Sequence, residues 1–197
     1  MDGINFEVAA GEYAVLMGKT GCGKTTLLEL ICGLRRPKAG RIVLHETDVT
    51  TLRPAERSVG YVPQDGALFD TMTVRNHLEF ALLVRRWDPN RIKSRVDSLS
   101  EMLEISHILN RYPKGLSGGE RQRVALGRAI AFEPTTLILD EPLSALDEST
   151  RQHMYEILLK IREQNDITAL HVTHSEGEAE VLGDRILRFK DEQIICQ

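Results

Sequence analysis

Residues 18–26, GKTGCGKTT, concentrate side chains and backbone groups that could hold an anion. The segment follows an apolar run at 13–17 and matches the pattern GxxxxGK[ST] in full, from Gly18 to Thr25. Glycines allow backbone N–H groups to converge on phosphate oxygens, and a helix that begins here adds its positive end. Lys24 can then reach the terminal phosphates of a nucleotide, while Thr25 can offer its hydroxyl to Mg²⁺. The sequence therefore predicts a nucleotide phosphate site.

Two acidic residues, Asp140 and Glu141, follow a second apolar run, TLIL at 136–139. Charges at the carboxyl end of a buried parallel strand lie at the sheet edge where open α/β folds bind their ligands. Asp140 is predicted to hold Mg²⁺, directly or through water, and Glu141 to polarise or deprotonate an attacking water. A phosphate loop by itself does not distinguish a kinase, a GTPase, a helicase or a transporter ATPase.

The elements that must position these residues alternate between strand and helix. Apolar periodicity predicts helices at 24–32, 73–86, 91–105, 117–132 and 148–165, and strands at 12–17, 41–45, 58–62, 136–140, 168–173, 185–190 and 193–197. Ser117 and Glu120 are spaced as in a capping box. Strands without polar alternation indicate an α/β fold with a parallel sheet covered by helices on both faces. We expect one domain, 1–197, with a helical subdomain at about 73–115 inserted into it.

The composition narrows the classes of partner. A net charge of −4 without a basic tract gives no support for a nucleic-acid partner. The three cysteines are odd in number and irregular in spacing, which argues against a disulfide framework and for a reducing compartment. His171 and His174 would face opposite sides of a strand, so a metal pair is not favoured. We find no signal peptide and no apolar window long enough for a membrane span, so another chain must do any spanning.

Further motifs complete an ordered set. After the phosphate loop come Gln64 in YVPQ, then LSGGE at 116–120, LILDE at 137–141, SALD at 144–147, and finally His174. This order and spacing resemble the ATP-binding cassette (ABC) family over nearly the whole chain. The resemblance implies an ATP hydrolase with a P-loop NTPase fold, in which a RecA-like parallel-sheet core carries an inserted helical subdomain and a partial antiparallel β subdomain.

The family's roles transfer position by position. Lys24, Gln64, Glu141 and His174 resemble its catalytic residues, and Thr25, Gln64 and Asp140 its Mg²⁺ ligands. The residues that resemble its ATP contacts come from the phosphate loop, the signature loop (117–120) and the loop before 148: Gly18, Lys19, Thr20, Gly21, Cys22, Gly23, Lys24, Thr25, Thr26, Ser117, Gly118, Gly119, Glu120 and Asp147.

One chain would then have two helix amino ends that can bind phosphate, at Lys24 and at Ser117. This is explained if one end serves the chain's own ATP and the other the ATP of a second copy, in a head-to-tail dimer. The resemblance further implies integral membrane permease subunits, a periplasmic or surface substrate-binding protein, and a cytoplasmic position on the inner face of the cell membrane.

Two stretches, 57–69 and 116–127, resemble bacterial importer ATPases for inorganic anions and small organic ions, nearest by eye to molybdate-type ATPases. Two alternatives stay open: a soluble cassette ATPase of DNA repair or protein assembly, and a nucleotide-binding module with impaired hydrolysis. The second alternative arises because the family usually stacks adenine on an aromatic residue well upstream of the phosphate loop. Only 17 residues precede Gly18 here, and Phe6 and Tyr13 lie too close to the loop for that part, so either adenine is held otherwise or the protein begins upstream of Met1.

Overall fold

The computed structural model describes residues 3–164, 166–190 and 193–196. Within these ranges the helices are α1 Lys24–Cys32, α2 Val74–Val84, α3 Pro89–Met102, α4 Gly118–Ile130, α5 Glu148–Gln164 and α6 Glu176–Leu182. The strands are β1 Tyr13–Gly18, β2 Val43–Leu44, β3 Thr47–Asp48, β4 Val59–Val62, β5 Thr136–Asp140, β6 Thr168–Thr173, β7 Arg185–Lys190 and β8 Gln193–Cys196. Among the described residues, no helix combines the length and the apolar character that a membrane crossing requires.

The main sheet has six strands in the order β4-β5-β6-β1-β7-β8. The pairs β5/β6, β6/β1 and β1/β7 are parallel, whereas β7 and β8 form an antiparallel hairpin. Register places Asp140 opposite Val172 and Met17 opposite Thr173, so the carboxyl ends of β5, β6 and β1 lie level. Side chains that follow these strands therefore emerge at one edge of the sheet.

The chain divides into two compact units. The first, unit 1, comprises Met1–Tyr61, Thr135–Glu141 and Arg162–Gln197. Its core joins the inner face of α1 to strands of the main sheet, and the buried residues are Ala14, Leu16, Leu27, Leu28, Ile31, Cys32, Ile138, Leu170, Val172, Leu187 and Phe189. Val15, Leu137 and Leu139, at the alternate positions that face the other side of the sheet, are buried as well, so the strands show no polar alternation, as expected for a buried parallel sheet.

Unit 2 comprises Val62–Pro134 and Pro142–Ile161, and it is mainly helical. Its helices α2 and α4 approach closely at Gly127, where a Cβ would lie only 2.6 Å from a Leu78 methyl and 2.7 Å from a Leu103 methyl. The C-terminal end of α4 is held by Arg95, whose guanidinium donates to the carbonyls of Ile130 and Ala131 at 3.0 Å each. The helical segment predicted at 73–115 lies within this unit.

The structure confirms the predicted helix at 24–32 and the strands at 136–140 and 168–173. The strand predicted at 41–45 is reduced to Val43–Leu44, because His45 and Glu46 adopt positive φ and reverse the chain into β3. Helix α6 was not predicted; it has seven residues and begins after the Ser175 cap. The predicted ends at Asn165 and Gln197 lie outside the described residues.

Candidate functional site

The loop between β1 and α1 leaves the amino end of α1 uncapped by any described side chain. Gly23 stands at the N-cap position with φ 103° and ψ 10°, a left-handed conformation that glycine adopts readily because it lacks a Cβ. The first turn of α1 contains no acidic residue. Since the first N–H groups of a helix have no partner inside the helix, this end presents backbone donors and a positive dipole to an anion.

Lys24 folds back into the same loop. Its Nζ donates to the carbonyl oxygens of Gly18 at 2.7 Å and Lys19 at 2.9 Å, and it lies 4.0 Å from Cys22 Sγ. The residue is only 6% exposed. Because these carbonyl partners are neutral, the hydrogen bonds position the ammonium charge in the loop without neutralising it.

Asp140 lies at the end of β5 beside the start of α1. The Thr25 hydroxyl hydrogen-bonds its carboxylate, and Asp140 is 4% exposed. Burial raises the pKa of Asp140 above its ordinary value, against the opposing effect of the Thr25 hydrogen bond. These two predicted metal ligands therefore lie together at the sheet edge.

The hydroxyl and the carboxylate fit Mg²⁺. Both are oxygen donors, which magnesium prefers, and magnesium commonly takes only one or two protein ligands beside water and phosphate oxygens. A buried carboxylate whose pKa is raised by desolvation also gains from a nearby cation, since the cation favours its charged form. Thr25 and Asp140 are the residues that would hold the ion.

Glu141 follows Asp140 and points toward the end of the neighbouring strand. Its Oε2 lies 3.5 Å from Nδ1 of His174, which follows β6 and has a side chain that is 63% exposed. The Glu141 N–H donates to the carbonyl of Val172 at 2.9 Å, so the backbone link between the strands fixes this residue. Glu141 has φ 46°, a left-handed conformation that is uncommon for a residue with a Cβ and costs about 1–3 kcal/mol. Unit 1 therefore gathers a phosphate-loop lysine, a predicted metal-ligand pair and an acid–histidine pair.

The remaining predicted residues belong to unit 2. At the amino end of α4 the predicted capping box is confirmed: Ser117 N–H donates to Glu120 Oε2 at 2.7 Å, and Glu120 N–H donates to Ser117 Oγ at 3.2 Å. The hydrogen bond from the Ser117 backbone lowers the pKa of Glu120, and Arg111 near its carboxylate acts in the same direction. This helix end carries a carboxylate of its own and so differs from the open anion site that the sequence predicts.

Asp147 precedes α5 and accepts three hydrogen bonds from the start of that helix. The donors are Ser149 Oγ at 2.6 Å, Thr150 Oγ1 at 2.7 Å and Thr150 N–H at 3.0 Å. These hydrogen bonds, led by that from Ser149, hold the pKa of Asp147 well below its ordinary value. Gln64 lies exposed in the turn after β4, and its role as a metal ligand stays a prediction.

Sequence reasoning missed a buried polar chain beneath the sheet edge. Tyr13 Oη lies 2.9 Å from His171 Nδ1, and His171 Nε2 lies 3.3 Å from Glu178 Oε2. Burial raises the pKa of Tyr13, and the same burial leaves its ring no exposed face on which a base could stack. Phe6 packs against the core of unit 1. Only the polar type of His171 within the apolar run at 168–173 could have indicated the pairing, since Glu178 lies among other acidic residues at 176–180.

Comparison with known proteins places this arrangement in a family. The family model described as ABC transporter matches residues 1–144. The molybdate/tungstate import ATP-binding protein WtpC of Thermococcus kodakarensis is 48% identical over 183 residues, which are 93% of this chain and 56% of that protein. The spermidine/putrescine import ATP-binding protein PotA of Chromobacterium violaceum is 44% identical over 93% of this chain and 51% of that protein. The chain spans about half the length of the curated relatives it matches.

Solved structures that resemble this chain are also ATP-binding cassettes. A dimeric, post-hydrolysis state of the ATP-binding cassette MJ0796 bound to ADP and Pi superimposes with a TM-score of 0.87 at 29% identity, covering 97% of this chain and 86% of that chain. The fold is therefore the α/β fold of P-loop NTPases, with a mostly parallel central sheet and a small antiparallel sheet, as predicted. The match of the family model and the identity to curated cassettes lead to one conclusion: the chain belongs to the ABC transporter family.

Proposed function

We propose that the chain binds and hydrolyses ATP and so powers the import of a small inorganic anion through separate membrane subunits. The observation that carries the proposal is the grouping in unit 1 of the uncapped α1 end, the Thr25–Asp140 pair and the Glu141–His174 pair. Each group has one task in phosphoryl transfer: to bind phosphate, to hold a metal, or to activate water. Membership of the ABC family supports the same assignment.

In this proposal the α1 amino end receives the terminal phosphates. Backbone N–H groups after Gly23 and the ammonium of Lys24 contact the phosphate oxygens, and Lys24 exchanges its bonds to Gly18 and Lys19 for bonds to the nucleotide. Because the lysine is already held within the loop, little side-chain freedom has to be lost on binding. The loop residues at 18–26 thus act as a preformed phosphate cradle.

Thr25 and Asp140 would hold Mg²⁺, which when bound supplies positive charge that neutralises the phosphate oxygens. Glu141 would accept a proton from the attacking water through its carboxylate. His174, at 3.5 Å from Glu141, would orient that carboxylate and reach toward the terminal phosphate. We assign Gln64 to orienting the same water and the metal.

We further propose that two copies associate head to tail. Ser117 and Gly118 are exposed at the amino end of α4, and Asp147 is exposed before α5, so all three are accessible to a second copy. In this arrangement the exposed signature loop of one copy closes over the ATP held by the phosphate loop of the other. The dimeric cassettes among the structural relatives support the proposal.

The membrane subunits would dock on an apolar face of unit 2. Phe80, Leu83 and Val84 lie on one side of α2 and are 43–59% exposed, and the ring of Phe69 lies 6.3 Å from that of Phe80. Exposed apolar groups in one place indicate a protein contact. With permease subunits bound there, the chain would work at the inner face of the membrane, together with a substrate-binding protein on the other side.

Molybdate or tungstate is the proposed cargo, since four of the relatives are molybdate/tungstate import ATP-binding proteins at 41–48% identity. Relatives named for polyamine and sulfate import are 43–44% identical, so the difference in sequence identity that favours molybdate or tungstate is only a few per cent. The cargo would be recognised by the partner subunits and not by the residues described above.

The replacement of Glu141 by Gln tests the hydrolysis proposal. Glu141→Gln keeps the shape of the side chain but removes the general base, so steady-state ATP hydrolysis should fall about 10²–10⁴-fold while MgATP still binds. Glu163→Gln on α5, an equally conservative change at an exposed position, is the matched control and should hydrolyse ATP like the parent chain. Undiminished turnover in Glu141→Gln would refute the assignment.

A further inference from the structure

The two glycines of the signature loop face different surroundings. A Cβ at Gly118 would make an ordinary contact, 3.7 Å from a Leu146 methyl. A Cβ at Gly119 would lie 2.5 Å from Cγ2 of Thr150, closer than non-bonded carbon atoms approach each other in proteins. Gly119 therefore has to be small because a methyl group at the start of α5 occupies the space beside it.

The other branch of Thr150 holds Asp147. The Thr150 hydroxyl donates to Asp147 Oδ2 at 2.7 Å, and its backbone N–H donates to Oδ1 at 3.0 Å. The methyl and the hydroxyl of a threonine leave the same carbon atom, so their positions cannot change independently. One side chain thus fixes the signature loop on one side and the Asp147 carboxylate on the other.

We propose that Thr150 is a positioning residue that joins the signature loop and Asp147 into one rigid surface for the second copy. The inference rests on the proposed head-to-tail dimer. Thr150 would not touch the nucleotide; it would set the separation of two exposed groups that must meet the other copy together. Serine would keep only the hydroxyl, and valine would keep only the methyl shape, so threonine is the residue type that does both.

Replacing Thr150 separates the two functions of its side chain. Thr150→Val should preserve the packing against Gly119 but remove one of the three hydrogen bonds to Asp147, and Thr150→Ser should keep that hydrogen bond but lose the methyl beside Gly119. In the Glu141→Gln background, we expect either change to raise the ATP concentration for half-maximal dimer formation about five- to tenfold, roughly the effect of one hydrogen bond or a lost methyl contact. ATP binding to the monomer, measured at protein concentrations too low for dimers, should stay unchanged, which a general folding defect would not allow.

A rescue experiment tests the methyl contact directly. Gly119→Ala should raise the ATP concentration for half-maximal dimer formation at least tenfold. Thr150→Ser in the same chain should reverse most of this increase, because the nearest remaining atom, Thr150 Cβ, would lie 3.9 Å from the new methyl. Ser149→Ala removes another hydrogen bond from Asp147 but no atom near Gly119, so it should not restore dimer formation in the Gly119→Ala chain.

Dimer formation followed by light scattering decides between the outcomes. If Glu141→Gln chains form no dimer with ATP, the head-to-tail proposal is wrong, and so is the positioning role of Thr150 that depends on it. If they form a dimer but Thr150→Val behaves like its parent, or Thr150→Ser gives no rescue of Gly119→Ala, then the positioning role of Thr150 is wrong and the dimer stands.

Discussion

At the amino end of α1 the cap is a left-handed glycine with no acidic residue in the following turn, whereas at the amino end of α4 a serine and a glutamate cap each other. Both ends have the same backbone donors and the same positive dipole. At α1 those donors face a loop that holds a lysine; at α4 the chain supplies its own carboxylate. From this difference we expect α1 to bind an anion alone and α4 only to add to a site formed elsewhere.

A covalent adduct on Cys22 tests the α1 end and should have the largest effect. Cys22 Sγ lies 4.0 Å from Lys24 Nζ and the residue is partly exposed, so an N-ethylmaleimide group there would fill the phosphate position. We expect nearly complete loss of ATP hydrolysis, protection by prior ATP binding, and a resistant, active Cys22→Ala chain. Cys32 should not react, because burial raises its pKa to about 12.

Peptide mass spectrometry locates the adduct. Inactivation that persists in Cys22→Ala, or inactivation without label on Cys22, would mean that the α1 end is not the sensitive position.

The replacement Glu120→Gln tests the α4 end and should have an intermediate effect. It keeps the capping geometry but removes the negative charge beside the proposed phosphate of the second copy. In the Glu141→Gln background, ATP-driven dimer formation should need about two- to fivefold less ATP at low salt, with a smaller difference at high salt. Glu101→Gln on α3 is the matched control.

The same replacement should lower the free energy of unfolding by about 0.3–1 kcal/mol, since a charge favourable to the helix dipole is lost. A chain that dimerises less readily after Glu120→Gln would contradict the idea that this carboxylate opposes phosphate.

The replacement Asp140→Asn should have the smallest effect, a change in thermal stability. Because burial raises the pKa of Asp140 in the folded state, the folded chain binds the proton more tightly than the unfolded chain does. The charged carboxylate therefore lowers stability above the folded pKa, and this penalty disappears as pH falls below the unfolded value of about 3.9.

Asp140→Asn should accordingly raise the Tm at pH 7 by about 2–4 °C, the shift expected for roughly 1 kcal/mol in a chain of this size. The gain should shrink toward pH 4 in thermal melts. A lower Tm at pH 7 would mean that the Asp140 carboxylate stabilises the fold.

The sequence predicted the elements that carry the α1 site, and the cap of α4, because their signals are local. The glycine spacing at 18–23, the apolar run that ends in Asp140 and the Ser117–Glu120 capping box can all be recognised within a few residues. The α/β fold followed from the order of such segments, and the structural relatives confirm it.

The contacts that the sequence did not predict join residues far apart in the chain. Nothing local indicates that Gly119 meets Thr150, or that His171 lies between Tyr13 and Glu178. The left-handed backbone of Glu141 was also missed, since its type favours no such conformation and the bond from its N–H to Val172 depends on the neighbouring strand.

In the proposed dimer, the α1 end of each copy binds its own ATP, and the α4 end contacts the ATP of the other copy. Mixing Lys24→Ala chains with Ser117→Arg chains tests this arrangement most directly, because a mixed head-to-tail dimer has one site with both lesions and one intact site. We expect each parent to be inactive, the mixture to regain ATP hydrolysis, and monomeric Ser117→Arg to bind ATP like the unaltered monomer. No recovered activity in mixtures shown to contain mixed dimers, or loss of ATP binding by the Ser117→Arg monomer, would contradict the account.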